Sequence, residues 1–173
     1  KVKAKQIDEN IFSFNKMAKE PGTYQVSLKN EHSNNKDIIE YYLNVIPDEY
    51  PSISIKQFED TVMYDYLVVG GNIGDDYGIT SLQLRYKISD INSQGEEEQY
   101  ESIKLNFNPE AINQSFFYKL NINDLEIKQG EKLEYFVQVW DNDGVNGRKS
   151  SKTSLYQFKL PSKEEFKAEL AKN

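Results

Sequence analysis

The stretch Gly130-Glu131-Lys132-Leu133-Glu134-Tyr135-Phe136-Val137-Gln138-Val139-Trp140-Asp141-Asn142-Asp143-Gly144 carries the clearest strand signal in the chain. Leu133, Tyr135, Val137 and Val139 alternate with Glu134, Phe136 and Gln138, and a side chain on every second residue faces one side of a sheet. The same period recurs in both directions from it. Leu82, Leu84, Tyr86 and Ile88 alternate with Gln83, Arg85 and Lys87, and Ile103, Leu105 and Phe107 with Lys104 and Asn106. Phe116, Tyr118, Leu120 and Ile122 alternate with Lys119 and Asn121, and Tyr156, Phe158 and Leu160 with Gln157 and Lys159. With the apolar runs 53–58 and 64–73, these make seven strands. Gly78, Gln94-Gly95, Asn108-Pro109, Gln129-Gly130, Asp143-Gly144 and Asn146-Gly147 supply the turns between them. Seven short strands at this spacing imply an all-β chain with an antiparallel β-sandwich over 52–161.

Residues 1–46 follow a different pattern. Phe12 to Phe14, then Tyr24, Val26 and Leu28, then 39–46 give about three strands, joined by Pro21-Gly22 and the polar tip Ser33-Asn34-Asn35-Lys36-Asp37. Three strands make half a sandwich, so this segment reads as the closing part of an upstream β domain. Pro47-Asp48-Glu49-Tyr50-Pro51 separates the two parts, and two prolines in five residues favour an extended, stiff connector. In 162–173, Ser162 followed three residues later by Glu165 is a capping-box signal for a helix. Phe166 and Leu170 give that helix a single apolar pair, so the expectation is a piece of a longer protein.

Composition removes several classes of function. The 173 residues hold 21 Lys+Arg and 28 Asp+Glu, a net charge of −7 that argues against nucleic acid as main partner. Without cysteine there are no disulfides, thiolate zinc sites or cysteine nucleophiles. The single histidine, His32, lies at the polar hairpin tip beside Ser33, away from any patterned Asp, so a Ser-His-Asp reading fails. Val69-Gly70-Gly71-Asn72 places Gly-Gly inside a strand, where a bulge is expected rather than a phosphate loop. The run Glu96-Glu97-Glu98 reads as a solvated hairpin tip. No apolar run reaches the ~20 residues of a membrane-spanning helix.

The Gly-containing turn leading into Tyr135-Phe136-Val137-Gln138-Val139, the Asp143-Gly144 turn and the following Ser150-Ser151 resemble the penultimate strand of fibronectin-type-III and immunoglobulin-like modules of bacterial surface proteins. With Asp75-Asp76-Tyr77-Gly78-Ile79 before a strand and Leu160-Pro161-Ser162 before a helix, residues 41–172 resemble an uncharacterised family of very large, membrane-anchored bacterial proteins. In that family, tandem immunoglobulin-like domains outside the cytoplasmic membrane precede long helical, low-complexity regions. The resemblance implies an extracytoplasmic module whose partners are other domains of the same protein and an unidentified protein. Membrane attachment would come through segments outside this chain. It brings no catalytic residues.

Two surface features invite function. In an immunoglobulin-like sandwich, the loop after the second strand and the loop after the sixth lie at one end. Here they carry Asp75 and Asp76, and Asp141, Asn142 and Asp143. Convergent carboxylates repel unless answered, and Ca²⁺ with six to eight oxygen ligands is one answer. The other is that Asp and Asn hold their own turns while Arg148 or Lys149 pairs with Asp141 or Asp143. The second feature is aromatic: Phe136 and Trp140 fall on the outward face of their strand, and Phe117 interrupts the polar face of its own. Three readings stand for these rings: covered by a loop or by the first segment, a protein contact, or a carbohydrate platform. The whole reads as a non-catalytic spacer and interaction module, with a calcium- or carbohydrate-binding module as the alternative and a carboxylate enzyme third.

Overall fold

The computed structural model describes residues 1–34, 37–59, 64–90, 99–144 and 147–171. The turn read at Gln94-Gly95, the run Glu96-Glu97-Glu98, Asn146 of the Asn146-Gly147 turn, and the side chains of Phe166 and Leu170 lie outside the described residues. The chain divides into two compact units, 1–47 and 48–173.

The first unit holds four short strands, one more than the sequence pattern suggests, in two separate antiparallel pairs. Strand β1 (Lys5–Asp8) pairs with β2 (Ile11–Ser13), and β3 (Gly22–Val26) pairs with β4 (Ile39–Leu43). Tyr24 stacks on Tyr41 at 5.1 Å between ring centroids, and Phe14 meets Tyr24 edge-on at 6.2 Å. No described residue of this unit is buried.

The second unit is built from antiparallel sheets around one core. Strands β5 (Ser52–Glu59), β6 (Tyr66–Gly74) and β9 (Asn113–Asn121) form a three-stranded sheet in the order β5-β6-β9. Strands β7 (Ile79–Asp90), β8 (Glu101–Lys104), β10 (Glu131–Asp141), β11 (Ser150–Lys152) and β12 (Tyr156–Lys159) form the other, with β10 between β7 on one side and β11 and β12 on the other. Strands β7 and β10 stay in register from Glu131 opposite Asp90 to Trp140 opposite Ser81. The inward positions of both sheets, among them Leu67, Val69, Leu84, Leu133, Tyr135 and Phe158, make a single buried apolar cluster. Each such fully buried aliphatic chain contributes about 1.5–3 kcal/mol. The Tyr135 hydroxyl donates to Gln57 Oε1 on β5, which joins the two sheets through a polar contact at the edge of the core.

The alternation locates these strands well, with three differences. Leu105 leaves the sheet after β8, yet it is buried and its N–H donates to Leu82 O at 2.9 Å. The final strand, β12, falls where the alternation puts it, but an unexpected short strand, β11, precedes it on the same edge of β10, and between them the Thr153 hydroxyl accepts from Val137 N at 3.1 Å. The expected bulge at Gly70-Gly71 is absent, since β6 runs in unbroken register against both β5 and β9. The glycine at 71 is explained by close approach instead: a Cβ there would lie 1.9 Å from Ser54 O. At the C-terminus the capping box forms, with Glu165 N donating to Ser162 Oγ at 3.2 Å and Ser162 N to Glu165 Oε2 at 2.8 Å. It opens α1 (Lys163–Leu170).

Substituting the two strand glycines should separate these explanations. Gly71→Ala drives a methyl into backbone and should cost about 3 kcal/mol or more in urea unfolding. Gly70→Ala meets its nearest atom at 3.4 Å and should stay within about 1 kcal/mol of the parent.

Candidate functional site

The two acidic loops do meet. Asn142 Nδ2 donates to Tyr77 O at 2.8 Å, and the Thr80 hydroxyl donates to Asp141 O, so the segment after β6 and the segment after β10 share one pole. What each carboxylate does there is mostly local. Asp75 Oδ2 accepts from Tyr77 N at 3.1 Å and Gly78 N at 2.8 Å, closing an Asx-type turn that Gly78, at φ +122°, completes. Asp141 is fully buried, and its Oδ1 accepts from Asp143 N at 3.2 Å and Lys149 N at 2.8 Å. Asp76 and Asn142 are exposed, while Asp75 and Asp143 are buried.

The cation that answers these charges is Lys149. Its ammonium donates to Asp48 O at 2.8 Å and to Asp48 Oδ2, lies 3.7 Å from Asp143 Oδ2, and stands 5.8 Å from the Tyr50 ring centroid. The hydrogen bond to Asp48 holds the ammonium above the ordinary lysine pKa against the opposing effect of burial, and the charges of Asp48, Asp143 and Asp141 add to it. This contact also fixes Asp48, and Pro51 three residues on is fully buried. Asp48 and Pro51 are thus tied into the second unit, while Glu49 and Tyr50 between them stay exposed. Arg148 makes no ion pair among the described residues. Among the described residues, three buried carboxylate oxygens of this pole, Asp75 Oδ1, Asp141 Oδ2 and Asp143 Oδ2, accept no hydrogen bond, and the last faces the Lys149 ammonium. Among the described residues, no group of three or more His, Asp or Glu side chains is placed to hold a metal ion.

The three candidate surface aromatics are not on one surface. Phe136 and Trp140 lie half-buried on the outer face of the β10 sheet, whereas Phe117 is 71% exposed on the outer face of the three-stranded sheet, across the core. Gly70 stands opposite it on β6, and Phe58, 65% exposed, lies opposite Val68 elsewhere on the same sheet. Phe136 is covered by its own partners: Tyr100 meets it edge-on at 5.1 Å, and the Lys152 ammonium sits 5.4 Å from its centroid. Trp140 is flanked across the strands by Ser81 and Ser150.

Sequence reading missed the polar cluster beside Phe136. Glu134 is buried on the outer face, 3.2 Å from Lys87 Nζ and 3.4 Å from Lys132 Nζ, and accepts from Gln157 Nε2 at 2.8 Å. Burial pushes its carboxyl up, but the hydrogen bonds from Lys87 and Lys132, with those of lesser weight, hold it below the usual value on balance. The alternation itself was the available signal, because Glu134 falls between two core residues with Lys87 opposite it on the neighbouring strand.

No family model, no curated relative and no solved structure matches this chain.

Two stability measurements check these roles. Asp141→Ala strands two backbone amides and should cost about 2–4 kcal/mol in urea unfolding, while Asp141→Asn keeps an acceptor oxygen and should cost much less. For Glu134 the depressed folded value means its stabilisation is present above the unfolded value of 4.5 and is lost as pH falls through the folded value. The stability gap between parent and Glu134→Gln should therefore be widest near neutrality and narrow below pH 4.5.

Proposed function

We propose that the second unit is an immunoglobulin/fibronectin-III-like β-sandwich that serves as a non-catalytic spacer and protein–protein interaction module. The observation that carries this reading is the strand order. Counted within the unit, the first, second and fifth strands form one sheet. The third, sixth, seventh and eighth form the other, the seventh and eighth both lying along the sixth in the place of a G strand, as the A-B-E and C-F-G strands do in immunoglobulin folds, and the fourth strand joins the third. Pole chemistry supports the same reading, since the convergent carboxylates hold turns and a lysine rather than stand open. The resemblance to large membrane-anchored bacterial proteins adds an extracytoplasmic setting, with the module extending a distal part of its parent from the membrane. The two buried, unpartnered oxygens of Asp75 and Asp141 favour calcium as the alternative. With Lys149 answering the pole, thermal melts in millimolar Ca²⁺ and in EDTA should overlap.

Pulling the chain from its ends tests the spacer role. A spacer unit should unfold in one cooperative event with a contour gain of about 40 nm, from 3.3–3.6 Å per extended residue. Gradual extension at low force would overturn it. Protease added to spheroplasts of the source cell should reach the module in its parent protein, and protection there would overturn the extracytoplasmic placement.

A further inference from the structure

The outer face of the β10 sheet concentrates positive charge in a chain that is acidic overall. Across four strands one transverse row runs Lys104, Gln83, Gln138, Lys152, each opposite the next. The adjoining row places Arg85 between Ser102 and Phe136. Lys132 and Lys159 stand opposite each other further along, an arrangement of like charges that costs stability unless it is answered. Glu134 answers Lys132 and Lys87, and Glu165 lies within electrostatic reach of Lys159. Among the described residues, no carboxylate lies within ion-pair distance of Lys104, Arg85 or Lys152. Arg85 Nε is shielded from solvent and has no hydrogen-bond partner, so part of a guanidinium has been desolvated without compensation within the chain.

We propose that this face binds an extended, acidic polypeptide segment of a partner protein, with two carboxylates on Lys104 and Lys152 and one near Arg85. This partner chemistry rests on the module being an interaction domain. Three strand spacings separate the ends of the lysine row, about 14 Å. An extended peptide covers about that distance in four residues, so acidic residues at every fourth position reach both ammonium groups. The glutamine pair forms the floor between them: Gln83 Nε2 donates to Ser81 Oγ at 3.2 Å and Gln138 Nε2 to Ser150 Oγ at 3.0 Å, which orients both amides. A peptide fits better than a nucleic acid or a glycan because the ring at hand is already taken. Phe136 is occupied by Tyr100 and Lys152, so bases and sugars find no open stacking surface there. The net charge of −7 also repels a dense polyanion more than a sparse one.

Fluorescence anisotropy with a labelled peptide bearing Glu at every fourth position in a Ser/Thr/Val background tests this. Binding should appear at low ionic strength and weaken about tenfold at physiological salt. The Lys104→Glu/Lys152→Glu pair should lower affinity at least about tenfold and Lys104→Gln/Lys152→Gln by less, while Lys56→Glu/Lys119→Glu on the other sheet changes it under about twofold. Both lysines of the test pair are exposed, and retained thermal melting confirms that the variants fold. Absence of binding, or binding indifferent to the test pair, overturns the proposal. So does tighter binding of dextran sulfate or oligo-dT through the same lysines, or a concentration-dependent dimer in sedimentation that the test pair abolishes. A module that unfolds as one unit under force but ignores the peptide loses this inference alone.

Discussion

Strand β10 is hydrogen-bonded along both edges, to β7 on one side and to β11 and β12 on the other, and the second unit is organised by that constraint. A strand paired on both sides cannot slip by one residue without moving Leu133, Tyr135, Val137 and Val139 out of the core and Glu134, Phe136 and Gln138 into it. The exchange would forfeit several buried side chains at about 1.5–3 kcal/mol each and bury a carboxylate. One register therefore wins decisively. Its consequences run in three directions: inward to the apolar cluster, outward to the row of lysines and amides, and lengthwise to Asp141, which emerges buried at the pole.

At that pole the chain solves an electrostatic problem that its own folding creates. Burying Asp141 is tolerable because two backbone amides donate to it and the Lys149 ammonium stands among Asp48, Asp143 and Asp141. A lysine is a compact point charge on a long stem, suited to contact a carboxylate, a carbonyl and an aromatic ring at once. Its partner Asp48 is the first residue of the unit, so neutralising the pole and anchoring the incoming chain are one interaction.

Much of this was legible in the sequence, and the limits were physical. A period of two is printed in the chain wherever one face is buried, so the strands of the second unit could be read directly, whereas the meeting of the loops that carry Asp75 and Asp141 followed only from the sandwich arrangement those strands implied. The capping box was equally local. Pairing between strands is not local: that Phe117 belongs to the sheet opposite Phe136 and Trp140 follows from which strands are neighbours, and alternation says nothing of that. Lys149 could be named as a counter-charge from its closeness to Asp143, but Asp48, about a hundred positions away, could not. The glycine pair misled for a related reason, since Gly71 answers to the Ser54 carbonyl on the adjacent strand rather than to its own backbone.

The sign of the sheet's outer face gains its meaning from the rest of the chain. A uniformly acidic surface would repel an acidic partner from every direction, with only thermal encounters to bring the two together. Concentrating Lys104, Arg85 and Lys152 on one face leaves an approach that is locally favourable. Long-range repulsion then orients the encounter as strongly as short-range attraction holds it. The same arrangement disfavours stacking two copies through their acidic flanks. A sheet that holds a partner must still avoid sticking to copies of itself, and segregated charge meets both demands with side chains that take no part in the core.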